Sequence, residues 1–340
     1  MGGLFDRRRG IRATGSLREV LSGIPLVDHH AHGILRAPPL TLDEFRGLFS
    51  ESPDPRQWPH VAHGVTYRRA VRALAAELGC EPHEQAVHEL RLASDPAGYA
   101  ASLLTATNTE LFLVDDGYPP ADAGGTSWDE LGELAGRRAL PVLRLETRGD
   151  HAADEVATAR ERGFAGLKTI AAYRGGLDRV SEHVVAALEA NEATGEPLPV
   201  QVHCGFGDSD LHLWRADPGY LKPLIERFRE TPFVLLHCYP FVREAGWLAH
   251  VYGNVFFDLS LTIPHVSRPA TALAEALELA PLSKLLYASD AARTPELYFL
   301  AATWWRDALA AVLPELLPAG ECGPAARMIL RENALALYGL

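Results

Sequence analysis

The stretch Val27-Asp28-His29-His30-Ala31-His32-Gly33 follows a short apolar run and has the character of a buried β-strand that ends in histidines. Side chains alternate along a strand, so Asp28, His30 and His32 are expected on one face and His29 on the opposite, outer face. Two imidazoles on one face can bind a single metal ion through their neutral nitrogens. Two ordinary polar histidines would give the same pattern, so the interpretation depends on whether further ligands follow other strands.

Length and composition limit the classes of protein to which the chain can belong. Its 340 residues suffice for one large α/β barrel or for two ordinary domains, and 47% hydrophobic with 22% charged residues is typical of a globular protein. The net charge of −12 argues against nucleic acid as a partner, since phosphate binding needs a positive surface. We interpret Arg7-Arg8-Arg9 as a solvated tail, because no apolar region follows that would complete a signal peptide.

Neither a membrane nor an oxidising compartment is expected. No stretch of about 18 apolar residues occurs, so the sequence predicts no membrane-spanning segment and no membrane partner. The four cysteines are widely separated and form no CxxC pair, which is typical of a reduced protein rather than a disulfide scaffold. The sequence therefore predicts a cytoplasmic protein.

Short apolar runs alternate with helical stretches through most of the chain, which indicates parallel βαβ units. Starting from the histidine strand, eight runs end near residues 32, 115, 146, 168, 203, 237, 258 and 290. We therefore predict an α/β fold, a (β/α)8 TIM barrel that forms one domain over residues 1–340. Residues 34–109 are predicted to be a helical insertion after the first strand, and residues 291–340 to be C-terminal helices. An open doubly wound sheet is disfavoured, because no glycine-rich turn follows the first strand.

Side chains that can bind a metal follow four other predicted strands. Lys168 ends the fourth strand, His203 the fifth, His237 the sixth and Asp290 the eighth. Barrel enzymes build their sites at the C-terminal ends of the strands, so these side chains are expected to meet. One histidine after an apolar run is usually structural, but this set recurs in phase with the barrel repeat. The sequence therefore predicts a metal site.

At these positions the chain resembles the amidohydrolase superfamily of metal-dependent barrel enzymes. The pattern of that superfamily is HxH after strand one, often a carbamylated lysine after strand four, histidines after strands five and six, and an aspartate after strand eight. The resemblance spans residues 24–290 and implies the metal ligands His30, His32, Lys168, His203, His237 and Asp290. The segments 168–177, 203–208 and 239–246 look like the amidohydrolase-like half of FluG and nodulin/glutamine-synthetase fusion proteins. The synthetase half is missing, so we expect a stand-alone version.

The resemblance implies a divalent metal, with Zn²⁺ as the expected ion, that activates a water molecule for hydrolysis. Asp290 would accept the proton of that water and pass it to the leaving group. His237 would either bind a second metal or polarise the scissile carbonyl. A carbamylated Lys168 would bridge two metals. The alternatives for this lysine are a salt bridge to Asp290 or Glu146, or a contact with the carboxylate of the substrate. The number of metals stays open at this point.

Charged residues near the strand ends suggest what the substrate carries. Arg174 and Arg243 could each bind a carboxylate through the two-pronged guanidinium, although surface ion pairs with Asp178 or Glu244 are equally compatible with the sequence. Asp208 could hold an ammonium group, as could Asp115 and Asp116, with solvated loop caps as the alternative. Both kinds of charge together would suit an amino-acid-like group such as a γ-glutamyl amide.

Three functions are consistent with the sequence. The first is a metal-dependent hydrolase that cleaves an amide or related C–N bond of a small carboxylate-bearing molecule. The second is a single-metal non-oxidative decarboxylase of the same superfamily. The third is a non-catalytic regulatory barrel, against which the complete ligand set argues. The expected partner is a small-molecule substrate, and a homo-oligomer is compatible with the sequence.

Overall fold

A barrel of eight parallel strands forms the centre of the molecule. The computed structural model describes residues 17–340, and its sheet follows chain order from β1 to β8. The strands are β1 Leu26–Ala31, β2 Thr109–Asp115, β3 Arg138–Arg144, β4 Gly166–Thr169, β5 Val200–Cys204, β6 Phe233–His237, β7 Val255–Asp258 and β8 Leu285–Leu286. Backbone hydrogen bonds join the β8 segment to β1, from Asp290 N to His30 O at 3.0 Å and from His29 N to Tyr287 O at 3.4 Å. The predicted (β/α)8 TIM barrel is confirmed.

The strands are apolar along their length because they are covered on both faces. Every residue of β1, β4, β5 and β6 is buried. One apolar cluster joins Val27, Leu111, Val234 and Tyr338, which come from strands that are not all neighbours and from the C-terminus, so it fills the barrel interior. A larger cluster, which includes the fully buried Trp305, packs the helices against the outer face.

Helices surround this barrel. Their bounds are α1 Leu42–Gly47, α2 Trp58–Val61, α3 Val65–Leu78, α4 Glu84–Ala93, α5 Pro96–Ala106, α6 Trp128–Ala135, α7 Ala152–Ala157, α8 Glu182–Ala193, α9 Lys222–Arg227, α10 Val242–Val251, α11 Thr262–His265, α12 Pro269–Leu277, α13 Pro295–Leu316, α14 Ala319–Arg327 and α15 Asn333–Tyr338. Helices α1 to α5 lie between β1 and β2, so the helical insertion predicted after the first strand is present. Within residues 17–340, no helix is both long and apolar enough to span a membrane.

Some predicted boundaries differ from the structure. The third strand ends at Arg144, because Leu145–Thr147 turns into a 3₁₀ helix, so Glu146 lies beyond the strand. The eighth strand has only two residues, and the chain from there to Asp290 is held by bonds to β1 rather than by the sheet ladder. The C-terminal segment contains a π-helical stretch, Met328–Glu332, between α14 and α15. The Arg7–Arg9 tail lies outside the described residues.

Gly205 links the ends of β5 and β6, and we expect Gly205→Ala to destabilise the fold. Gly205 has φ +82°, and an added Cβ would lie 2.3 Å from the carbonyl oxygen of Tyr239. Strain and overlap together should lower the free energy of unfolding by about 2–4 kcal/mol. Chemical denaturation followed by circular dichroism measures this.

Gly195 provides a matched control, because its φ is +78° but nothing lies within 4 Å of an added Cβ. Gly195→Ala should lower the stability by about 1 kcal/mol, the strain alone. Equal losses for the two variants would show that the contact between the β5 and β6 loops is not tight.

Candidate metal centre

The candidate ligands predicted from the sequence lie around one end of the barrel. His30 and His32 stand at the end of β1, Lys168 in β4, His203 in β5, His237 at the end of β6 and Asp290 just after β8. Five of them, His32, Lys168, His203, His237 and Asp290, line a cavity of about 320 Å³. The six side chains are therefore brought together, as expected for residues at the C-terminal ends of barrel strands.

Three of these side chains form a tight group. The Nε2 atoms of His30 and His32 lie 3.0 Å and 3.2 Å from Oδ1 of Asp290. One ligating atom from each of the three residues falls within 4.8 Å of the others. Two imidazole nitrogens and a carboxylate oxygen are donors that Zn²⁺ and similar divalent ions accept. The group therefore fits a metal ion.

His203 and His237 lie beside this group, with their ring centroids 4.5 Å apart. Nε2 of His203 is buried and has no hydrogen-bond partner among the described residues. A buried polar atom without a partner is costly, and a bound ion would satisfy it. Nδ1 of His237 lies 2.7 Å from Ser260 Oγ and 3.6 Å from Oδ2 of Asp290. Both histidines thus face the same space as Asp290.

The protonation states suit metal binding. Burial lowers the pKa of His30 to about 4, with Lys168 adding to the effect, and burial also holds the pKa values of His203 and His237 well below the ordinary histidine value. Burial raises the pKa of Asp290, but the contacts with His237, His30 and His32 outweigh burial and leave that pKa well below its usual range. Neutral imidazoles beside an ionised carboxylate are the forms that bind metals.

Lys168 is fully buried, and its Nζ lies 3.5 Å from Nε2 of His30. Burial lowers its pKa to about 8. No carboxylate oxygen of the described chain lies within 4.0 Å of this amine, so the alternative of a salt bridge to Asp290 or Glu146 is not observed. Glu146 instead accepts hydrogen bonds from Thr169 Oγ1 and from the backbone N–H of Ile170. Carbamylation of Lys168 stays a prediction.

The placement of His29 on the outer face is wrong. The register between β1 and β2 shifts between Asp28 and Ala31, so strict alternation fails at this point. His29 is fully buried, with Nε2 2.9 Å from Oδ2 of Asp258 and Nδ1 3.2 Å from the Tyr338 hydroxyl. Asp258 belongs to β7, which does not neighbour β1, so His29 points into the barrel.

Asp28 was expected to share a face with His30 and His32, but its carboxylate is used elsewhere. Its Oδ1 accepts a hydrogen bond from the backbone N–H of Ser289 at 2.9 Å, at the seam between β1 and the β8 segment. Burial raises its pKa to about 7. Asp28 therefore helps to close the barrel, and among the described residues its carboxylate makes no hydrogen bond to the imidazole of His30 or His32.

Residues that the sequence did not single out hold the candidate ligands in place. Oε1 of Gln201 lies 2.8 Å from Nδ1 of His30, and the Gln201 amide also donates to the Tyr338 hydroxyl at 2.9 Å. Ser260 contacts His237 and donates to Oδ1 of Asp258 at 2.8 Å. Gln201 precedes His203 by two positions on one strand, so strand alternation was the signal that could have found it. Ser260 follows β7 in a loop and left no such signal.

The backbone around the centre is unusual. Within residues 17–340, five non-glycine residues have a positive φ, and four of them are His237, Cys238, Asp290 and Arg293. Such residues are strained, and strain of this kind concentrates at functional sites. The ends of β6 and β8 are therefore shaped for the positions of their side chains.

Of the three residues predicted to bind substrate, two line the cavity and one does not. Arg174 and Asp208 line the cavity, as the sequence predicts for residues that contact substrate. Arg243 does not line it: its side chain is 74% exposed and pairs with Glu275 rather than with Glu244. Helix α10 begins at Val242, soon after β6 ends, and Arg243 lies on the exposed side of that helix.

Asp115 and Asp116 hold arginines rather than facing an open site. Asp115 is fully buried and receives hydrogen bonds from Nε and Nη2 of Arg144 at 3.0 and 2.6 Å. Burial raises the pKa of Asp115, but the charge of Arg144 outweighs this and lowers it far below its usual range. Asp116 pairs with Arg148. Neither carboxylate is free for an ammonium group.

Four further residues line the cavity, and three of them, Glu51, Arg293 and Tyr118, were missed. Glu51, from the helical insertion, and Arg293, from the loop after β8, add one charge of each sign. Tyr118 and Tyr173 pack against the candidate ligands, with ring centroids 5.6 Å from His32 and 4.7 Å from His203. These residues lie in loops, where periodicity gives no information on which way a side chain points.

A larger cavity of about 620 Å³ lies between α5 and α6. Its lining is mainly apolar and contains none of the six candidate ligands. The strand-end cavity is therefore the better candidate for an active site, although it is smaller.

The family model of the amidohydrolases matches residues 114–340. The chain belongs to the amidohydrolase family. The matched region includes Lys168, His203, His237 and Asp290, whereas the histidines of β1 precede it. Membership makes the chain one of a family of metal-dependent hydrolases and related enzymes, and it implies a divalent metal.

The chain is also similar to individual proteins of known sequence or structure. FluG of Emericella nidulans is 41% identical over 161 residues, which are 45% of this chain and 19% of FluG, so the match covers about a fifth of that protein. A structure from Lactobacillus casei ATCC 334, classed as a metal-dependent hydrolase, is 27% identical with a TM-score of 0.84 and covers 95% of this chain and 97% of that one. A uronate isomerase from Bacillus halodurans C-125 shares the fold, at 13% identity and a TM-score of 0.69 over 99% and 98% of the two chains.

Gln201→Leu should weaken metal binding without unfolding the protein. The change removes the acceptor that holds Nδ1 of His30, and loss of such a partner typically lowers metal affinity about 10–100-fold. Competition with a chromophoric chelator measures the affinity. Gln85→Leu is a suitable control, because Gln85 is exposed on α4 and its amide donates a hydrogen bond to Glu89. Unchanged affinity in Gln201→Leu would mean that His30 is not a ligand or needs no support.

Proposed function

We propose that this protein is a metal-dependent hydrolase that cleaves the C–N bond of a small carboxylate-bearing amide, with a γ-glutamyl amide as the favoured substrate class. The observation that carries the proposal is the group formed by His30, His32 and Asp290, whose ligating atoms lie within 4.8 Å of one another beside a cavity with charges of both signs. Family membership supports metal-dependent hydrolysis as the type of chemistry.

His30, His32, His203 and Asp290 would hold the metal, with Zn²⁺ as the expected ion. When bound, such an ion lowers the pKa of water from about 15.7 toward about 7 and so supplies a nucleophile at neutral pH. The unpartnered Nε2 of His203 supports its inclusion in the set.

Asp290 would move the proton. Its Oδ1 faces His30 and His32, while its Oδ2 lies 3.6 Å from His237, so the carboxylate has one oxygen on each side of the centre. Because its pKa lies well below the usual range, Asp290 is ionised at neutral pH, which is the form that a proton acceptor requires. The same carboxyl would then protonate the leaving nitrogen.

The hydrogen bonds around His237 indicate which of its ring nitrogens carries the proton, and therefore which role it can take. Ser260 Oγ donates its one hydrogen to Asp258, so Nδ1 of His237 is the donor in its contact with Ser260. Nε2 of the neutral ring then carries a lone pair. This tautomer favours His237 as a ligand or proton acceptor over a role in polarising the scissile carbonyl.

The cavity supports a small substrate with two kinds of charge. Its volume of about 320 Å³ is at the lower end of the range for ligand pockets. Arg174 and Arg293 line it together with Glu51 and Asp208. An amino-acid-like group, with a carboxylate and an ammonium, matches this combination. The expected partner is thus a small molecule, and we keep the cytoplasm as the proposed location.

A non-oxidative decarboxylase is the second candidate. The compact group of three residues suits a single metal. A single metal beside an unmodified Lys168 would be compatible with decarboxylation. The two reactions differ in their products, since hydrolysis of an amide releases an amine or ammonia and decarboxylation releases CO₂.

The purified protein should hold at least one divalent ion per chain and release ammonia or an amine from γ-glutamyl amides. Asp290→Asn should lower kcat about 10²–10⁴-fold, because the base is lost. Metal analysis together with an amine-release assay over a panel of γ-glutamyl amides measures both. Asp154→Asn, at an exposed position on α7, is the control.

Removal of the metal separates the proposal from its alternatives. Chelation should abolish activity, and Zn²⁺ should restore it. Full activity after chelation would contradict the proposal, and release of CO₂ without amine would favour the decarboxylase.

A further inference from the structure

Arg293 is held on the loop that carries Asp290. Its backbone N–H donates to the Gly33 carbonyl at 3.0 Å, and its own carbonyl accepts from Leu35 at 2.9 Å. These bonds tie it to the chain just after the histidines of β1. Its φ of +66° is a conformation that L side chains rarely adopt, and one in which glycine or asparagine would be less strained. An arginine at this position therefore points to a use for its side chain.

The Arg293 guanidinium lacks an acidic partner. It is half-buried and lines the cavity of the candidate metal centre. Among residues 17–340, no carboxylate oxygen lies within 4.0 Å of it, and its side-chain hydrogen bond goes from Nη2 to the Ser50 carbonyl at 3.0 Å. A guanidinium has five N–H donors, so one bond to Ser50 leaves a pair free for a carboxylate.

The other arginines near the cavity are less suited to this task. Arg144 uses Nε and Nη2 on Asp115. Arg174 is exposed, and its guanidinium contacts the carbonyl of the adjacent Tyr173. Arg293 is thus the half-buried guanidinium of the cavity that a ligand can neutralise.

Resting on the proposed function, we infer that Arg293 binds the carboxylate of the substrate through its two-pronged guanidinium. The Ser50 carbonyl, from the helical insertion, positions that guanidinium by accepting a hydrogen bond from Nη2. Asp290 and Arg293 are three residues apart, so their Cα atoms lie within about 11 Å. Both residues also line the same cavity of about 320 Å³, so the carboxylate and the scissile amide would belong to one small molecule. The inferred substrate class is the ω-amides of short dicarboxylic acids, with or without an α-amino group.

Arg293→Asn tests this assignment, because asparagine tolerates the positive φ while the guanidinium is lost. Glutarate serves as the binding probe, measured by isothermal titration calorimetry on the zinc-loaded protein. Loss of a charged hydrogen-bond pair should weaken glutarate binding about 10–100-fold. Arg293→Lys keeps the charge but not the two-pronged geometry and should give a smaller loss. Arg160→Asn is the control, since Arg160 is exposed and also donates to a backbone carbonyl, that of Glu196.

Two substrates that differ in one charge test the role of Arg293 during turnover. Glutarate monoamide carries the carboxylate, and glutaramide replaces it with a neutral amide. Arg293→Asn should raise KM for the monoamide about 10–100-fold, leave kcat within a few-fold, and change little for glutaramide. An equal loss on both substrates would show a structural role and overturn the inference.

The two experiments separate the inference from the proposed function. If the wild-type protein hydrolyses neither amide, the proposed function fails, while the binding of glutarate still tests Arg293. No binding of glutarate by the wild-type protein, or equal binding by the wild type and Arg293→Asn, would overturn the assignment whatever the hydrolysis results. Weaker binding in Arg293→Asn, with a Tm close to that of Arg160→Asn, would support it.

Discussion

The contact between Asp290 and the histidines of β1 is the interaction on which the site depends. Oδ1 of Asp290 lies 3.0 Å from Nε2 of His30 and 3.2 Å from Nε2 of His32. These residues come from the first strand and from the segment after the eighth, which meet because the barrel closes through backbone bonds such as that from Asp290 N to His30 O. The same seam therefore completes the fold and assembles the candidate ligands, so a sequence that closes the barrel also builds the centre.

Below the candidate ligands, buried polar side chains form a continuous set of contacts. Gln201 joins His30 to the Tyr338 hydroxyl, Tyr338 joins Gln201 to His29, and His29 meets Asp258, which in turn binds Ser260. Buried polar groups stabilise a unique arrangement when each has its partner. Tyr338 belongs to the last helix of the chain, so the C-terminus supports the same histidines that the first strand supplies.

Much of the fold and of the candidate site could be predicted from the sequence, because both follow from strand periodicity. Apolar runs located the strands, and the polar residue at the end of each run located His203, His237 and Asp290. Prediction failed where periodicity stops. Strict alternation assigned His29 to the outer face. That assignment failed because β1 contains a register shift that the sequence does not reveal. Arg243 was expected at the cavity, but the helix that begins at Val242 carries it to the surface.

The missed residues share this cause. Arg293 and Glu51 lie in loops, where the direction of a side chain depends on tertiary contacts such as the bond from Arg293 to the Ser50 carbonyl. Such loops set what a barrel binds, while the strands set where the chemistry occurs. The sequence was therefore informative about the metal site and less so about the substrate.

A crystal structure with anomalous diffraction data at the zinc edge tests the central claim most directly. The expected result is an anomalous peak within about 2.0–2.2 Å of Nε2 of His30, Nε2 of His32 and a carboxylate oxygen of Asp290. Density at Lys168 Nζ would show in the same map whether a carbamate and a second ion are present. A zinc-loaded crystal with no peak among these three side chains would contradict the claim that they form a metal centre.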